Sequence, residues 1–292
     1  MGSLKNSFPN VKTKMVAILG YPVHHSFSPV IHNTAFRHQS LNFVYLAVDL
    51  APERLPQALH GLSALGFSGA NVTIPHKQAV LPYMDHLSES ARITGAVNTI
   101  VCKDDQLYGD NTDVEGFMAP LRDIKLREMP MTLLGAGGAA RAAAYALIKY
   151  YNPKPLTLVA RRARQAEQLV NDFAQYSRHL DVSDFKSASK CVQKSCLVVN
   201  STPVGMYPQI HQTPWERKSD FSSDQIVYDL VYRPARTQLL QDAESRGAMV
   251  IGGLTMLIEQ AAAAYRQWTD REMPLTIIRS TMEDLLYYTD KK

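Results

Sequence analysis

The sequence predicts an α/β fold with two domains. Apolar runs of strand length alternate with amphipathic stretches of helical length along most of the chain, a pattern typical of parallel sheets built from right-handed β-α-β crossovers. The chain has 292 residues, enough for about two domains of roughly 100–200 residues each. Its composition, 46% hydrophobic and 20% charged, is that of a folded globular protein rather than a disordered one.

The predicted strands and helices follow one another regularly, with two exceptions. Strands are predicted at Met15–Leu19, Phe43–Val48, Gly69–Thr73, Met131–Leu134, Leu156–Val159, Leu197–Asn200, Ile226–Leu230 and Ala248–Ile251. Helices are predicted between them, among others at Arg54–Leu65, Ala139–Tyr150, Gln165–Tyr176 and Thr237–Arg246. The exceptions are a hairpin with strands at Asn98–Val101 and Gln106–Gly109, and two final helices at Thr255–Trp268 and Leu275–Tyr288. We therefore expect domain boundaries near Asp113 and Gly253.

Charge and cysteine content argue against several classes of partner. The 31 basic and 27 acidic residues leave a net charge of +4, too small an excess to predict binding to nucleic acid or to a membrane. The three cysteines form neither a disulfide framework nor a metal-binding set, which predicts a cytoplasmic protein without a metal. The apolar stretch Met131–Ile148 has three glycines near its start and is interpreted as strand, loop and helix, not as a membrane span.

A glycine-rich loop after the predicted strand Met131–Leu134 is typical of a dinucleotide site. The sequence Gly135-Ala-Gly137-Gly-Ala-Ala140 has the spacing G-x-G-x-x-A and leads into a predicted helix. The first glycine permits a tight turn, the second lets the backbone approach a pyrophosphate, and the small third residue lets helix and strand pack closely. Backbone N–H groups and the helix dipole would face the anion. A glycine-rich turn without a ligand is the alternative.

The loop after the next predicted strand indicates which nucleotide binds. A carboxylate at the end of that strand would hydrogen-bond the ribose 2′-OH of NAD. Here Val159 is followed instead by Ala160-Arg161-Arg162-Ala-Arg164. Guanidinium groups bind phosphate in bidentate geometry, so the loop favours the 2′-phosphate of NADP over NAD or S-adenosylmethionine. A solvated basic loop is the alternative.

Ser26-Phe-Ser28-Pro29 precedes a predicted helix at Val30–His38. Ser28 suits the N-cap and Pro29 the first helical position. Ser26 has no such structural role, and its hydroxyl could face a cavity.

The segment Asn71-Val-Thr73-Ile-Pro75-His76-Lys77 runs from a strand into a predicted helix. Pro75 is expected to open that helix and place Lys77 in its first turn, where the dipole favours the neutral amine that acid–base chemistry needs. An exposed surface lysine is the alternative.

Two further polar residues lie in short motifs. Asn98 lies in Gly95-Ala-Val-Asn98-Thr99 and could either bind a polyol or close a turn. Asp113 ends Gly109-Asp-Asn-Thr-Asp113. The structural alternative is that it does no more than cap the N-terminus of a helix at Val114–Leu121. Taken one at a time, four of the five motifs have adequate structural explanations, but structural needs alone would not select all of these residue sets together.

Together the motifs resemble those of the shikimate dehydrogenase family, from about Val16 to about Tyr287. Besides the five motifs quoted, the matching segments are Asn200-Ser-Thr-Pro-Val-Gly205-Met206, Asp229-Leu-Val-Tyr232 and Gly252-Gly253-Leu-Thr-Met256-Leu-Ile-Glu-Gln260. The resemblance implies a discontinuous α/β/α substrate domain, residues 1–113 and 254–292, and a Rossmann-like NADP-binding domain, residues 114–253. The active site is then expected in the cleft between them, in a monomer or homodimer.

The resemblance also implies the reaction and its residues. The reaction is the reversible reduction of 3-dehydroshikimate to shikimate by NADPH, on the pathway to aromatic amino acids, with Lys77 and Asp113 as the catalytic pair. The implied substrate-binding residues are Ser26, Ser28, Thr73, Lys77, Asn98, Asp113, Tyr232 and Gln260. The implied cofactor-binding residues are Gly135, Ala136, Gly137, Gly138, Ala139, Arg161, Arg162, Thr202, Gly253 and Met256.

Several points stay open at this level. Lys77 could transfer a proton or only stabilise the alkoxide, while Asp113 would orient its ammonium. Ala160 and Arg233 stand where the family commonly has asparagine, and the sequence suggests no role for Arg233. A threonine in place of Ser28 tends to accompany quinate use in the family, so Ser28 favours shikimate. A quinate/shikimate dehydrogenase of broader specificity and a catalytically silent sensor protein are the alternatives.

Overall fold

The computed structural model describes residues 9–289, which divide into two compact units. The first unit comprises the described residues through Thr112 together with Ile258–Glu283, and the second comprises Asp113–Leu257 and the described residues from Asp284 onward. Each unit contains one six-stranded sheet. The predicted α/β class is therefore confirmed.

Strands and helices alternate along most of the described chain. The strands are β1 (Lys14–Gly20), β2 (Phe43–Asp49), β3 (Phe67–Val72), β4 (His86–Leu87), β5 (Thr99–Lys103), β6 (Gln106–Asp110), β7 (Met131–Leu134), β8 (Leu156–Val159), β9 (Leu180–Ser183), β10 (Leu197–Asn200), β11 (Ile226–Asp229) and β12 (Met249–Ile251). The α-helices are α1 (Ser28–His38), α2 (Leu55–Ala64), α3 (Glu89–Thr94), α4 (Asp113–Met118), α5 (Gly138–Tyr151), α6 (Ala163–Phe173), α7 (Ser189–Lys194), α8 (Gln238–Glu244), α9 (Leu254–Thr269) and α10 (Leu275–Thr289).

The sheet of the first unit is mixed, with the order β2-β1-β3-β5-β6-β4. β1 pairs in parallel with β2 and β3, whereas β5 runs antiparallel to both β3 and β6. The predicted hairpin β5–β6 turns through Asp104 and Asp105, whose φ angles are 51° and 58°. Two successive positive φ angles match the tight turn that fits the right-handed strand twist. This hairpin gives the otherwise parallel sheet its antiparallel part.

The sheet of the second unit is entirely parallel, with the order β12-β11-β10-β7-β8-β9. Every residue of β7, β8, β10 and β11 is buried. Strands covered on both faces appear in a sequence as continuous apolar runs, which explains why β7, β8 and β10 have their predicted bounds. The edge strand β9 was not predicted because its central residues, Asp181 and Val182, are exposed.

The predicted helix after Pro75 is wrong. Residues 73–80 form turns, followed by a short 3₁₀ segment at Leu81–Tyr83. A helix would need the Lys77 carbonyl to accept from the N–H four residues later. That carbonyl instead accepts from the N–H of Val97 at 2.8 Å, and the Leu81 N–H donates to Gln78. A tertiary hydrogen bond therefore stops the helix, and Lys77 does not lie in the first turn of a helix.

The predicted N-cap role of Ser28 is also wrong. The N-cap of α1 is Phe27, without a side-chain capping hydrogen bond, and Ser28 is the first helical residue. Ser26, not Ser28, makes the local turn, since its Oγ accepts from the Ser28 N–H at 3.3 Å. No helix among residues 9–289 has both the length and the apolar character needed to cross a membrane.

Candidate active site

Asn98 is the centre of a buried polar cluster in the first unit. Its side chain lies immediately before β5 and is 2% exposed. Asn98 Oδ1 accepts from the Thr112 backbone N–H at 2.8 Å, and Nδ2 lies 3.4 Å from Gln260 Oε1. Because a backbone N–H can only donate, this contact fixes which end of the Asn98 amide carries the NH₂ group. The structure thus brings together Asn98 and Gln260, as the family resemblance implies.

Thr73 and Lys77 belong to the segment that leaves β3 beside Asn98. The Thr73 N–H donates to the Leu19 carbonyl at 2.9 Å, and the Lys77 carbonyl accepts from Val97, the neighbour of Asn98. Gly20 permits this approach, because a Cβ there would lie 2.3 Å from Thr73 Cγ2. Backbone hydrogen bonds therefore hold the half-buried Lys77 in a segment adjoining Asn98.

His76 anchors the same segment to the chain that follows β2. Its ring is 1% exposed, and Nε2 lies 2.7 Å from the Leu50 carbonyl. A carbonyl can only accept, so this nitrogen carries the proton. The residue before Lys77 is thus fixed in position, which explains why a histidine precedes the lysine.

Asp113 and Tyr232 belong to the second unit. Asp113 is the first residue of α4 and is 5% exposed. Tyr232 follows β11, and burial raises the pKa of its phenol while Arg233 acts in the opposite direction. The Arg233 guanidinium lies 4.0 Å from the centre of the Tyr207 ring, and the Tyr207 N–H donates to the Arg233 carbonyl. Arg233 thus joins the loop after β11 to the loop after β10, a role that the sequence did not reveal.

The glycine loop has the geometry of a phosphate cradle. Gly135 has φ +110°, and a Cβ there would lie 2.5 Å from Ser201 Oγ. Gly137 is the N-cap of α5, and a Cβ there would meet no atom within 4 Å. Gly138 and Ala139 begin α5, so their backbone N–H groups lie at its N-terminus. The open space at Gly137 and the positive end of a 14-residue helix fit a dinucleotide pyrophosphate.

The basic loop lies beside this cradle. Leu134 pairs with Val159 in the sheet, and the Gly135 N–H donates to the Val159 carbonyl at 2.8 Å. Arg161 and Arg162 therefore follow the strand adjoining the glycine loop, and both are exposed. Two exposed guanidinium groups at this edge fit a 2′-phosphate.

The other implied cofactor residues have visible structural roles. Thr202 follows β10, and its Oγ1 donates to Asn200 Oδ1 at 2.7 Å. A Cβ on Gly253 would lie 2.2 Å from the Leu230 carbonyl oxygen, so the backbone there admits only glycine. Met256 is 8% exposed, and Ala136 lies between the two glycines of the cradle. Gly253 therefore has a packing reason for being glycine besides any contact with a cofactor.

Asp229 is a buried acid to which sequence reasoning assigned no role. It is 0% exposed and ends the apolar run of β11. Its carboxylate accepts from the Thr237 hydroxyl at 2.6 Å, the Asn200 amide at 2.8 Å and the Val231 N–H at 3.0 Å. Burial nevertheless raises its pKa from 3.8 to about 6. A lone acid at the end of an apolar strand was the signal available in the sequence.

No group of three or more His, Cys, Asp or Glu side chains arranged to hold a metal ion occurs in the part of the chain that the structure describes.

Comparison with known proteins identifies the family. A model of the shikimate dehydrogenase substrate binding domain matches residues 18–100, and a model of the shikimate 5′-dehydrogenase C-terminal domain matches residues 253–283. A shikimate dehydrogenase (NADP(+)) from Salinibacter ruber is 55% identical over 268 residues, covering 90% of this chain and 94% of that protein. The chain belongs to the shikimate dehydrogenase family.

Solved structures agree with this assignment. A crystal structure of a shikimate dehydrogenase in complex with NADP⁺ is 37% identical, with a TM-score of 0.90 over 98% of this chain and 99% of that one. A shikimate 5-dehydrogenase from Thermus thermophilus, in complex with NADP(H) and shikimate, is 34% identical, with a TM-score of 0.82 over 93% of this chain and 99% of that one. The resemblance inferred from the motifs is thus confirmed over nearly the whole chain.

Proposed function

We propose that this member of the shikimate dehydrogenase family catalyses the reversible, NADPH-dependent reduction of 3-dehydroshikimate to shikimate. The observation that carries the proposal is the buried cluster of amide and hydroxyl groups around Asn98, beside a half-buried lysine. Such a cluster suits a small polyol. The names of the relatives supply the substrate and the cofactor.

The proposed domain roles follow the family resemblance. Residues 1–113 and 254–292 form the substrate-binding domain, and residues 114–253 form the NADP-binding domain. The Asn98 cluster supports the first assignment, and the cradle at Gly137 supports the second.

The substrate is held by neutral polar groups. Ser26 and Ser28 donate hydroxyl hydrogen bonds to its carboxylate, while Thr73, Asn98, Tyr232 and Gln260 bind its ring oxygens. Asn98 is suited to this because its amide donates and accepts. Without an arginine in this set, binding is moderate rather than tight.

Lys77 acts on the oxygen of the reacting carbonyl group, and Asp113 acts on a hydroxyl group of the substrate. NADPH supplies the hydride when it is bound. Lys77 donates a proton to the carbonyl oxygen or stabilises the negative charge that develops there. Asp113 accepts a hydrogen bond from a substrate hydroxyl and orients the ammonium of Lys77. No helix starts at Pro75, so the expected placement of Lys77 in a first helical turn does not apply.

The residues present fit the cofactor at both of its phosphate positions. Gly135, Ala136, Gly137, Gly138 and Ala139 hold the pyrophosphate through backbone N–H groups, and Arg161 and Arg162 bind the 2′-phosphate. Thr202, Gly253 and Met256 complete the proposed cofactor site. The free thiols of Cys102, Cys191 and Cys196 agree with a cytoplasmic setting.

The test is a spectrophotometric assay that crosses shikimate and quinate with NADP⁺ and NAD⁺. We expect the highest kcat/KM for shikimate with NADP⁺. An equal or higher kcat/KM with quinate would show that the enzyme is a quinate/shikimate dehydrogenase of broader specificity. Protein that binds NADPH but turns over neither substrate would instead be a sensor.

A further inference from the structure

Tyr45 takes no part in the proposed chemistry, yet hydrogen bonds connect it to Asn98, a proposed substrate-binding residue. Tyr45 lies in β2, is 2% exposed, and its hydroxyl donates to Asn71 Oδ1 at 2.7 Å. An amide oxygen can only accept, so the single proton of the phenol lies on the bond from Tyr45 to Asn71.

From Asn71 the hydrogen bonds continue to Asn98. With its oxygen facing Tyr45, Asn71 presents Nδ2 to the Asn98 carbonyl and to Thr99 Oγ1, both at 3.1 Å. The Thr99 hydroxyl accepts that bond and donates to Asn98 Oδ1 at 3.1 Å. Since Asn71 and Thr99 are direct partners in the β3–β5 pairing, the chain of bonds runs across the sheet.

From Tyr45 onward the bonds have one direction. Tyr45 donates to Asn71, Asn71 to Thr99, and Thr99 to Asn98. Removing the phenol proton leaves Asn71 Oδ1 buried without its donor, so the Asn71 amide is held only by the bonds that Nδ2 donates. A less firmly held Asn71 orients the Thr99 hydroxyl less well, and the bond that Thr99 donates to Asn98 weakens.

His32 holds the ring of Tyr45 in place. The two rings are stacked with centroids 4.4 Å apart and an interplanar angle of 1°, and His32 is 0% exposed. Neither ring nitrogen of His32 has a hydrogen-bond partner among residues 9–289. Burial lowers the pKa of His32 to about 3, so its ring is neutral near pH 7 and stacks on Tyr45 without a charge.

We propose that Tyr45 is a positioning residue for substrate recognition, because its hydroxyl orients Asn71 and, through Thr99, the Asn98 carboxamide. The inference rests on the proposed function, since it takes Asn98 as a substrate-binding residue. Tyr45 itself touches no reacting atom in this scheme. Its effect is therefore on substrate affinity and not on the chemical step.

The test uses Tyr45→Phe, which keeps the ring and its stacking on His32 and removes only the hydroxyl. We expect the KM for shikimate to rise about three- to tenfold, the effect of one lost hydrogen bond, while kcat and the KM for NADP⁺ change less than about twofold. The matched control is Tyr265→Phe, which removes a buried phenol in the same unit that donates to Gln39 Oε1 at 2.8 Å. A KM for shikimate that is equal in the two variants, with equal losses of Tm, would overturn the proposal.

A double-mutant cycle tests whether Tyr45 acts on Asn98 through the hydroxyl of Thr99. Thr99→Val removes the hydroxyl that links Asn71 to Asn98, so its effect on KM should not add to that of Tyr45→Phe. Additive effects would show that Tyr45 acts by another route.

The orientation of Asn98 is also measurable without substrate. In ¹H–¹⁵N spectra of the ligand-free protein, Tyr45→Phe should shift the side-chain amide signals of Asn71 and Asn98, and Tyr265→Phe should leave them in place. Unshifted signals in Tyr45→Phe would contradict the orienting role. If the wild-type protein lacks shikimate dehydrogenase activity, the proposed function fails, and these spectra still decide whether Tyr45 orients Asn98.

Discussion

Asn98 and Gln260 meet at 3.4 Å, amide nitrogen to amide oxygen, although 162 positions separate them in the chain. Helix α9 brings Gln260 back to the first sheet, where Trp268 Nε1 also donates to the Ile100 carbonyl at 3.0 Å. The helix can pack this closely because residue 69 is a glycine, since a Cβ there would lie 2.4 Å from Trp268 Nε1. The proposed substrate site is thus completed by a helix from the far end of the chain.

Lys77→Ala should lower kcat by about 10²–10⁴-fold, because it removes the group that donates a proton to the carbonyl oxygen or stabilises its charge. The KM for NADPH should stay within about twofold of the wild-type value. Steady-state kinetics with 3-dehydroshikimate check this, with the exposed Lys103→Ala as the matched lysine control. Near-normal turnover of Lys77→Ala would remove Lys77 from the mechanism.

Replacing Arg161 and Arg162 together by Ala should raise the KM for NADPH at least about tenfold, because two guanidinium contacts with the 2′-phosphate are lost. The KM for NADH, which lacks that phosphate, should change far less. Arg178→Ala, an exposed arginine of the same unit, is the control. If the KM for NADPH is unchanged, the 2′-phosphate is bound elsewhere.

Gly135→Ala and Gly137→Ala should fail in different ways. At Gly135, φ is +110° and the added Cβ meets Ser201, so we expect a loss of more than about 1 kcal/mol in the free energy of unfolding. At Gly137 the Cβ meets nothing, so stability should be nearly unchanged while the KM for NADPH rises, because the methyl group enters the phosphate cradle. Urea unfolding and NADPH kinetics on both variants check this. A destabilised Gly137→Ala variant with normal cofactor affinity would contradict the cradle.

Asp229 should make the folded state more stable, relative to Asp229→Asn, as the pH falls from 7 to 5. Its pKa is about 6 in the folded protein and 3.8 ordinarily, so between these values the folded state binds the proton more tightly than the unfolded state. The free energy of unfolding of the wild type, minus that of the variant, should therefore increase by about 1 kcal/mol over this range. Urea unfolding at both pH values measures the difference, in which the other titrating groups cancel. A difference that shrinks with falling pH would mean that the three hydrogen bonds outweigh burial.

Much of the second unit could be predicted from local patterns. Its central strands are covered on both faces, so each one is an apolar run with sharp ends, and the glycine loop has the residues that a tight turn and an approaching phosphate require. The edge strands β4 and β9 were missed, because exposed strands need no such run.

In the first unit, the local structure around Ser28 and Lys77 could not be predicted from local patterns alone. Local preference favoured a helix after Pro75 and a cap at Ser28, and neither formed. The Lys77 carbonyl accepts from the Val97 N–H, and the Ser28 N–H donates to Ser26 Oγ. Apolar periodicity records which positions are buried, so the α/β class could be predicted from it, and the glycine spacing after β7 predicted the phosphate loop. The partners of individual polar groups around Lys77 and Asn98 depend on which strands become neighbours, and the free energy of a buried hydrogen bond outweighs a local preference of a few tenths of a kcal/mol.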